Sequence, residues 1–580
     1  MSTQFPSKRG PTTLEPKPIL DMKWFIIGIT IFIVTYLGVV PLAFLLWQSF
    51  ATPQTMTQAA EFTLNNYARA YSDPQTLVLF KNSFIFATGT AAFAFIVGTG
   101  LAWMNERTNT PFKSLFYALA IIPLIVPSIL FTVSWIFLAS PEIGILNLAL
   151  QKLFNTDYVF FNIYSMGGMI WVEGLHYSPM AFLLMTAAFR SMDPSLEESA
   201  MMSGAGIGHI VYRITMKLAY PAIFAAILIM FVRSIESFEV PALLGLPAGI
   251  QVFTSAIYQA IKRYPSDIGL ASALAITLLI ITTIGVYMQS RLSSSGNKYS
   301  TVSGKGYRPR AMDLGKWRYL TGAIFIVYFI LIVLLPFLVL LWSSLQRYYS
   351  VPTVEAMKNI SFENYSYILQ YPSFLRSVWN SLILATGSAT LIMLLTAVIC
   401  WIVVKTNYKG RWLLDNIASL PMVFPGLVLG VSIMILYLNF DIGIYGTLWI
   451  LLIAYMTRFM PYGLRYNTTS MMQIHKELEE SSAMSGATWG TTFRRIILPL
   501  MKSGFVAGWI YIVIVSIREL SSSILLYSPG SEVIAIVIWE LWENGQYTKL
   551  SALGVMFIIA LFILVMGTQM ISKRFGVKEE

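Results

Sequence analysis

The sequence predicts an all-α polytopic membrane protein of about twelve transmembrane helices, arranged as two homologous six-helix halves. Three observations lead there: a weakly charged apolar composition, apolar runs of span length along the whole chain, and a polar segment that occurs twice. Of 580 residues, 56% are hydrophobic and only 12% charged, about half the charge of a soluble domain. Each apolar run comes near the ~20 residues needed to cross the hydrocarbon core. A bilayer makes the chain satisfy its backbone hydrogen bonds internally, so the runs read as helices. The alternating polarity of barrel strands is absent. A net charge of +11 would suit nucleic acid, yet the basic residues cluster in short loops between apolar runs, which is the positive-inside pattern.

In chain order, residues 1–23 are polar and proline-rich and lack an apolar core with a cleavage site. They read as a cytoplasmic tail rather than a cleaved signal peptide. A first domain, 24–290, holds spans near 24–48, 82–104, 115–138, 165–189, 220–244 and 269–290. The segment 291–318 is rich in Ser and Gly and reads as a flexible linker. It carries Arg291, Lys298, Lys305, Arg308, Arg310, Lys316 and Arg318 against the single acid Asp313. A second domain, 319–572, holds spans near 319–343, 379–404, 413–438, 447–470, 503–527 and 550–572, and 573–580 form a short cytoplasmic tail. By contrast, 139–165 holds only Lys152, and 526–548 holds no Lys or Arg. Both termini, the linker and the repeated segment are therefore expected on the cytoplasmic side. The one cysteine, Cys400, lies in an apolar run, so there is no disulfide framework.

The repeat gives the chain its organisation. EESAMMSGAGIGHIVYRITMKLAYPAI starts at Glu197 and EESSAMSGATWGTTFRRIILPLMKSGF at Glu479, so that Glu198 and Glu480, like Gly204 and Gly486, stand 282 positions apart. Farther upstream the offset is 298: Asn66-Tyr67 matches Asn364-Tyr365, Asn82-Ser83 matches Asn380-Ser381, and Pro123 and Pro127 match Pro421 and Pro425. A long outer loop at 139–165, cut short at 439–446, accounts for the difference, since surface loops tolerate length changes. The halves thus keep the same sense across the membrane. The proline pairs are expected to kink the third span of each half.

The repeated segment, 194–221 and 476–503, has its own logic. It opens with acids where a helix N-terminus favours negative charge, turns at Gly204 and Gly486 where a side chain would interfere, and returns to the membrane as a second short helix. Ile207 and Trp489 follow the turn and are expected to be exposed, a Trp there being a good anchor for a partner's groove. A surface-lying amphipathic linker is the structural alternative. The spacing resembles the "EAA" loop of binding-protein-dependent ABC importer permeases: Glu-Ala-Ala, three residues, Gly, nine residues, then Ile-x-Leu-Pro. Glu480-Ser481-Ser482, Gly486 and Ile496-Ile497-Leu498-Pro499 match it closely. The first copy keeps Glu198, Ala200, Gly204 and Ile214 but has Met216-Lys217 in place of Leu-Pro. The tandem fusion and Ser237–Gly245 (SFEVPALLG) are similar to the ferric-iron-type branch, whose relatives handle ferric iron, thiamine, sulfate, polyamines or aminoalkylphosphonates.

The resemblance implies a transport subunit rather than an enzyme, in the bacterial inner membrane, served by a periplasmic or lipid-anchored binding protein and by two cytoplasmic ATPases. ATP and Mg would sit on those ATPases, and no cofactor in this chain. It also implies that the loops around Glu198–Ile207 and Glu480–Trp489 couple ATPase closure to the spans, with ferric iron as the foremost solute. The absence of a G-x-x-x-x-G-K-[ST] phosphate loop accords with this: Ser303-Gly304-Lys305-Gly306 lacks the flanking residues. The sequence shows no metal-ligand cluster and no nucleophile–base pair.

Ionisable residues inside apolar runs each cost roughly 2.5–3.5 kcal/mol and call for compensation. Arg233, Glu236 and Glu239 lie along one side of the fifth span, and Arg518 and Glu519 in its repeat. Glu173 and His176 lie in the fourth span, His176 aligning with Arg458. Arg233, Glu236, Glu239, Arg458, Arg518 and Glu519 are candidates for a polar path between the halves. The alternative is structural pairing, Arg233 with Glu236 and Arg518 with backbone; for Glu173 and His176 the structural reading is preferred. Two other classes stay open. An ion-coupled secondary transporter would use Glu236, Glu239 and Glu519 as a proton relay. An integral membrane enzyme lacks a catalytic constellation.

Overall fold

A computed structural model describes residues 22–52, 60–193, 195–295 and 311–574. Residues 1–21 and 575–580 of the expected tails, 296–310 of the expected linker, and Pro194 of the first loop lie outside them. Among the described residues all regular structure is helical apart from the isolated bridges Ala51–Phe62 and Thr108–Met312. Six helices are long and apolar enough to cross a membrane, Trp24–Ser49, Pro74–Arg107, Ile268–Arg291, Gly315–Ser344, Pro372–Lys405 and Tyr547–Thr568; four bent pairs raise the number to ten. The expected spans 165–189 and 447–470 are the helices Met166–Ser191 and Leu448–Met472. Both are long enough to cross, but Glu173, His176 and Arg190 in one, and Arg458 and Arg465 in the other, dilute their apolar character.

Two expected spans in each half are not continuous helices. The third is broken outright: Lys113–Ile125 meets Ser128–Ala139 at 98°, and Arg411–Val423 meets Gly426–Asn439 at 109°. Pro127 and Pro425 hold extended backbone at the junctions, and a proline restricts the residue before it as well. A break frees carbonyls that hydrocarbon cannot solvate. Here the opposite half supplies the donor: the Arg518 guanidinium donates to the Leu124 carbonyl, and Thr282 Oγ1 donates to the Val423 carbonyl at 2.9 Å.

The fifth spans are shorter than expected. Tyr220–Ile235 and Lys502–Ile517 contain 16 residues each, about 24 Å of helix, and stop at Glu236 and Arg518. The apolar run continues as a buried loop, with a wide helical turn at Pro241–Gly245 and a tight one at Ser523–Leu525. Short helices, Phe253–Lys262 and Ile534–Glu543, follow. Ser83 Oγ accepts from the Phe253 amide at 3.0 Å and Ser381 Oγ from the Ile534 amide at 2.9 Å, so the repeat extends to this detail.

The first helix of each half packs on the other half. Tyr36 meets Tyr437 hydroxyl to hydroxyl at 2.5 Å, and Phe44 meets Phe440 edge-on at 5.2 Å. Reciprocally, Phe325 stacks on Phe116 at 4.8 Å and 5°, and Tyr328 reaches Ser178 at 2.9 Å. The main core cluster therefore takes in both halves, running from Leu45 through Phe131 and Phe182 to Ile512 and Leu553. The helices at its centre, from both halves, carry the buried polar groups described next.

Candidate functional site

The two repeated loops share one backbone. Each begins with a short helix, Ser195–Met202 or Glu477–Met484, and turns at a glycine of positive φ, Gly204 at 83° and Gly486 at 79°. A Cβ at either glycine would meet nothing within 4 Å. The left-handed backbone, not close approach, is therefore what calls for glycine. The chain then re-enters as Ile207–Leu218, bent 74° from Tyr220–Ile235, or as Trp489–Leu500, bent 75° from Lys502–Ile517. Met216-Lys217 in place of Leu498-Pro499 does not alter the angle.

What anchors the loops is the first acid of each Glu-Glu pair, which the sequence reading placed only at a helix N-terminus. Glu197 is 3% exposed. It lies 3.4 Å from the Arg107 guanidinium and accepts from Thr215 Oγ1 at 2.5 Å. Arg107 in turn donates to the carbonyls of Phe189 at 2.7 Å and Met192 at 3.0 Å, so it ties the second helix, the fourth helix and the loop together. In the second copy Glu479 accepts from Trp401 Nε1 at 3.1 Å and pairs with Lys405 at 3.7 Å. Lys405 also donates to the Ile474 carbonyl. Arg107 and Lys405 stand 298 apart, so the upstream offset already aligned them. The second acids differ in setting: Glu198 is half-buried, whereas Glu480 is exposed and pairs with Lys476 at 3.4 Å.

The expectation that Ile207 and Trp489 project outward is corrected. Both are half-buried. Trp489 packs edge-on against Trp401 at 4.9 Å and stacks on Phe493 at 5.0 Å, which covers part of its ring. Ala200, Ile214 and Ile496 are half-buried, while Leu498 and Pro499 sit half-buried and exposed on the returning arm. The apolar side chains that project farthest are Met202, 88% exposed, and its repeat Met484, 89% exposed. No periodicity marks them, because each ends its short helix next to the glycine turn.

At the seam between the halves the candidate path residues come together. Arg233 pairs with Glu236 at 2.8 Å and donates to the Tyr462 hydroxyl of the other half at 2.5 Å. Arg458 pairs with Glu519 at 3.1 Å. Glu239 accepts from Ser521 Oγ across the seam at 3.3 Å, and Arg518 reaches the Leu124 carbonyl. The structural pairing weighed above is therefore present, and the bonds to Tyr462, Ser521 and the Leu124 carbonyl join the halves. Except for buried Glu519, the six are half-buried rather than sealed. Gly426 makes room for Arg458: a Cβ there would lie 1.3 Å from Nη1. Among the described residues no group of three or more His, Cys, Asp or Glu side chains is placed to hold a metal ion.

Residues 74–295 and 393–575 match the family of binding-protein-dependent transport system inner membrane components, one copy in each half. The chain is 26% identical over 417 residues to the ferric transport system permease protein FbpB of Actinobacillus pleuropneumoniae, covering 70% of this chain and 58% of that protein. It thus spans little more than half of that relative's length. It is 23% identical over 509 residues to the Fe(3+)-transport system permease protein FbpB 2 of Haemophilus influenzae, covering 87% and 91%. A crystal structure of a bacterial ABC transporter for alginate import aligns with a TM-score of 0.35 at 20% identity, over 45% of this chain and 96% of that one. With two matched segments that take in most of its length, the chain belongs to the family of inner membrane components of binding-protein-dependent transport systems.

Proposed function

We propose that this chain forms the whole translocation path of an ATP-driven ferric-iron importer, the halves 24–290 and 319–572 acting as two fused permease domains joined by the basic segment 291–318. The observation that carries this reading is the pair of loops of equal geometry, each fastened to its own half by an acid paired with a cation. A surface-lying linker needs no such anchor, whereas a lever does. Loop movement is then passed through Arg107 or Lys405 into the second and fourth helices, and through the bent arm into the fifth. Two cytoplasmic ATPases, carrying ATP and Mg, would take Met202 and Met484 into their grooves. A binding protein would deliver the solute to the opposite face, with both termini cytoplasmic.

The names of the relatives support ferric iron; thiamine, polyamines, sulfate and aminoalkylphosphonates are the solutes of related systems. An ion-coupled transporter is the second reading, and the pairing of Glu236 and Glu519 with arginines counts against it, since a proton relay needs carboxyls free to change charge. The test is uptake of 55Fe(III) into vesicles that hold this chain with its ATPase and binding protein. Uptake is expected to require internal ATP. Uptake driven by a proton gradient with no ATPase present would overturn the reading.

A further inference from the structure

One buried acid stands apart from the pairings above. Glu173 is 1% exposed in the fourth helix of the first half, and its Oε2 has no hydrogen-bond partner. Among the described residues no cation lies within ion-pair distance of it. The charged group acting on it is Glu239, a like charge, and the hydroxyls of Ser237 and Tyr177 lie beside it. Ser237 Oγ is likewise buried without a partner.

The second half shows what this position looks like when it is satisfied. Tyr455 and Glu519 are the repeats of Glu173 and Ser237, so the carboxyl and the hydroxyl have exchanged helices. There the Tyr455 hydroxyl reaches Ser523 Oγ at 2.9 Å, and Glu519 accepts from the Ser522 amide and hydroxyl, both at 2.9 Å, besides pairing with Arg458. In the first half the place of Arg458 belongs to His176, whose ring packs on Phe131 at 5.5 Å. The second-half carboxyl is thus paired with an arginine of its own half, while the first-half carboxyl has no such partner. A buried acid with an unused oxygen is costly and is kept where it has work to do.

We propose that Glu173, with Glu239 at the half-open edge of the seam, forms a transit subsite for a hard multivalent cation. This rests on the ferric-transport reading and names the residues that would receive the ion. Carboxylate and hydroxyl oxygens are the donors such a cation prefers. Two carboxyls and two hydroxyls hold it less firmly than a resident cage would, which suits an ion that must also leave.

The probe is Tb3+, a hard trivalent ion, titrated onto the purified full-length chain in nanodiscs with luminescence sensitised by the aromatic residues nearby. The expected result is saturable binding displaced by Ga3+, weakened at least ten-fold by Glu173→Gln and retained by Glu173→Asp. Glu239→Gln, whose amide oxygen can still accept from Ser521, is expected to weaken it as well. Absence of saturable binding in the native chain, or native affinity in either Gln variant, overturns the subsite. Uptake of 55Fe(III) by the native host with and without this gene tests the ferric reading separately. Gene-dependent uptake that Glu173→Gln leaves unchanged sinks the subsite alone, whereas uptake that ignores the gene sinks the reading on which it rests.

Discussion

In the first half, Arg107 and Glu197 meet at a fully enclosed point with Thr215 as a third member; in the second, Lys405 and Glu479 meet more loosely, with the Trp401 indole completing the shell. The backbones around them are superposable in kind, down to the glycine φ and the bend of the arm. At the seam the relation is reversed. There the halves place different chemistry on matching helices, with His176 opposite Arg458, Ser128 opposite Gly426, and Glu173 opposite Tyr455. The lever is duplicated and the lining is not. On the function proposed above, a surface that meets two copies of one partner is held constant, while a lining that meets one solute is free to diverge between its two walls.

That contrast can be broken most sharply at the anchors. Arg107→Leu leaves Glu197 buried without its cation, and a loss of roughly 3–5 kcal/mol of stability is expected. Lys405→Leu, where Glu479 keeps the Trp401 N–H, is expected to cost about 1–3 kcal/mol. Thermal unfolding of both variants in detergent measures the gap, and equal losses would mean that the anchors are equivalent after all. At the seam, Gly426→Ala drives its Cβ into the Arg458 guanidinium and separates it from Glu519, with an expected cost of roughly 1–3 kcal/mol. Ser128→Gly, which meets no arginine, is expected to cost less than ~1 kcal/mol, read in the same assay.

The glycine turns sharpen the other side of the comparison. Gly204→Ala and Gly486→Ala should each cost about 1–2 kcal/mol through the left-handed backbone alone, and should do so equally. Gly206→Ala, at φ −70°, should be near neutral. Amide exchange across each loop would show the effect.

The smallest effect is expected in acid, at two carboxylates beyond the spans. Burial pushes Asp267 up, but the Leu270 amide and Arg69 more than offset it and hold it below its ordinary value. Glu532 is likewise pushed up by burial and brought below its ordinary value by Arg376 and backbone amides. Carboxyls depressed in the folded state contribute stability that is complete above their unfolded pKa, near 4, and is lost as the pH falls through the folded values. The unfolding midpoint should therefore drop below about pH 4, and Arg376→Met should flatten that dependence.

Much of this was legible before any coordinates, because a repeat compares the chain with itself. The matched offsets located both loops, the proline pairs and the core asparagines, and Asn66 and Asn364 indeed bridge corresponding carbonyls at 2.7–3.1 Å. Hydropathy failed where a loop is buried as deeply as a helix. Pro241–Gly245 is as apolar as any span and carried the expected fifth helix nine residues too far. The prolines announced a bend but not its size, since a kink becomes a break only if another segment satisfies the freed carbonyls. Trp489 was misjudged because Trp401, its cover, lies 88 residues away in the chain. Glu197 was read only as a helix N-terminal acid because its partner belongs to another helix, although the recurrence of a cation at 107 and 405 was there to be noticed.

The exchange of first helices has a bearing on biosynthesis. Tyr36 finds its partner 401 residues later in the chain; at ~5–20 residues per second of translation, that is a wait of roughly 20–80 s in the bilayer. Until then the helix faces lipid or borrowed company, and the nascent first half is an unfinished object. Two genes cut at the junction would have to trade these helices after synthesis; one gene guarantees that the right pair arrives together.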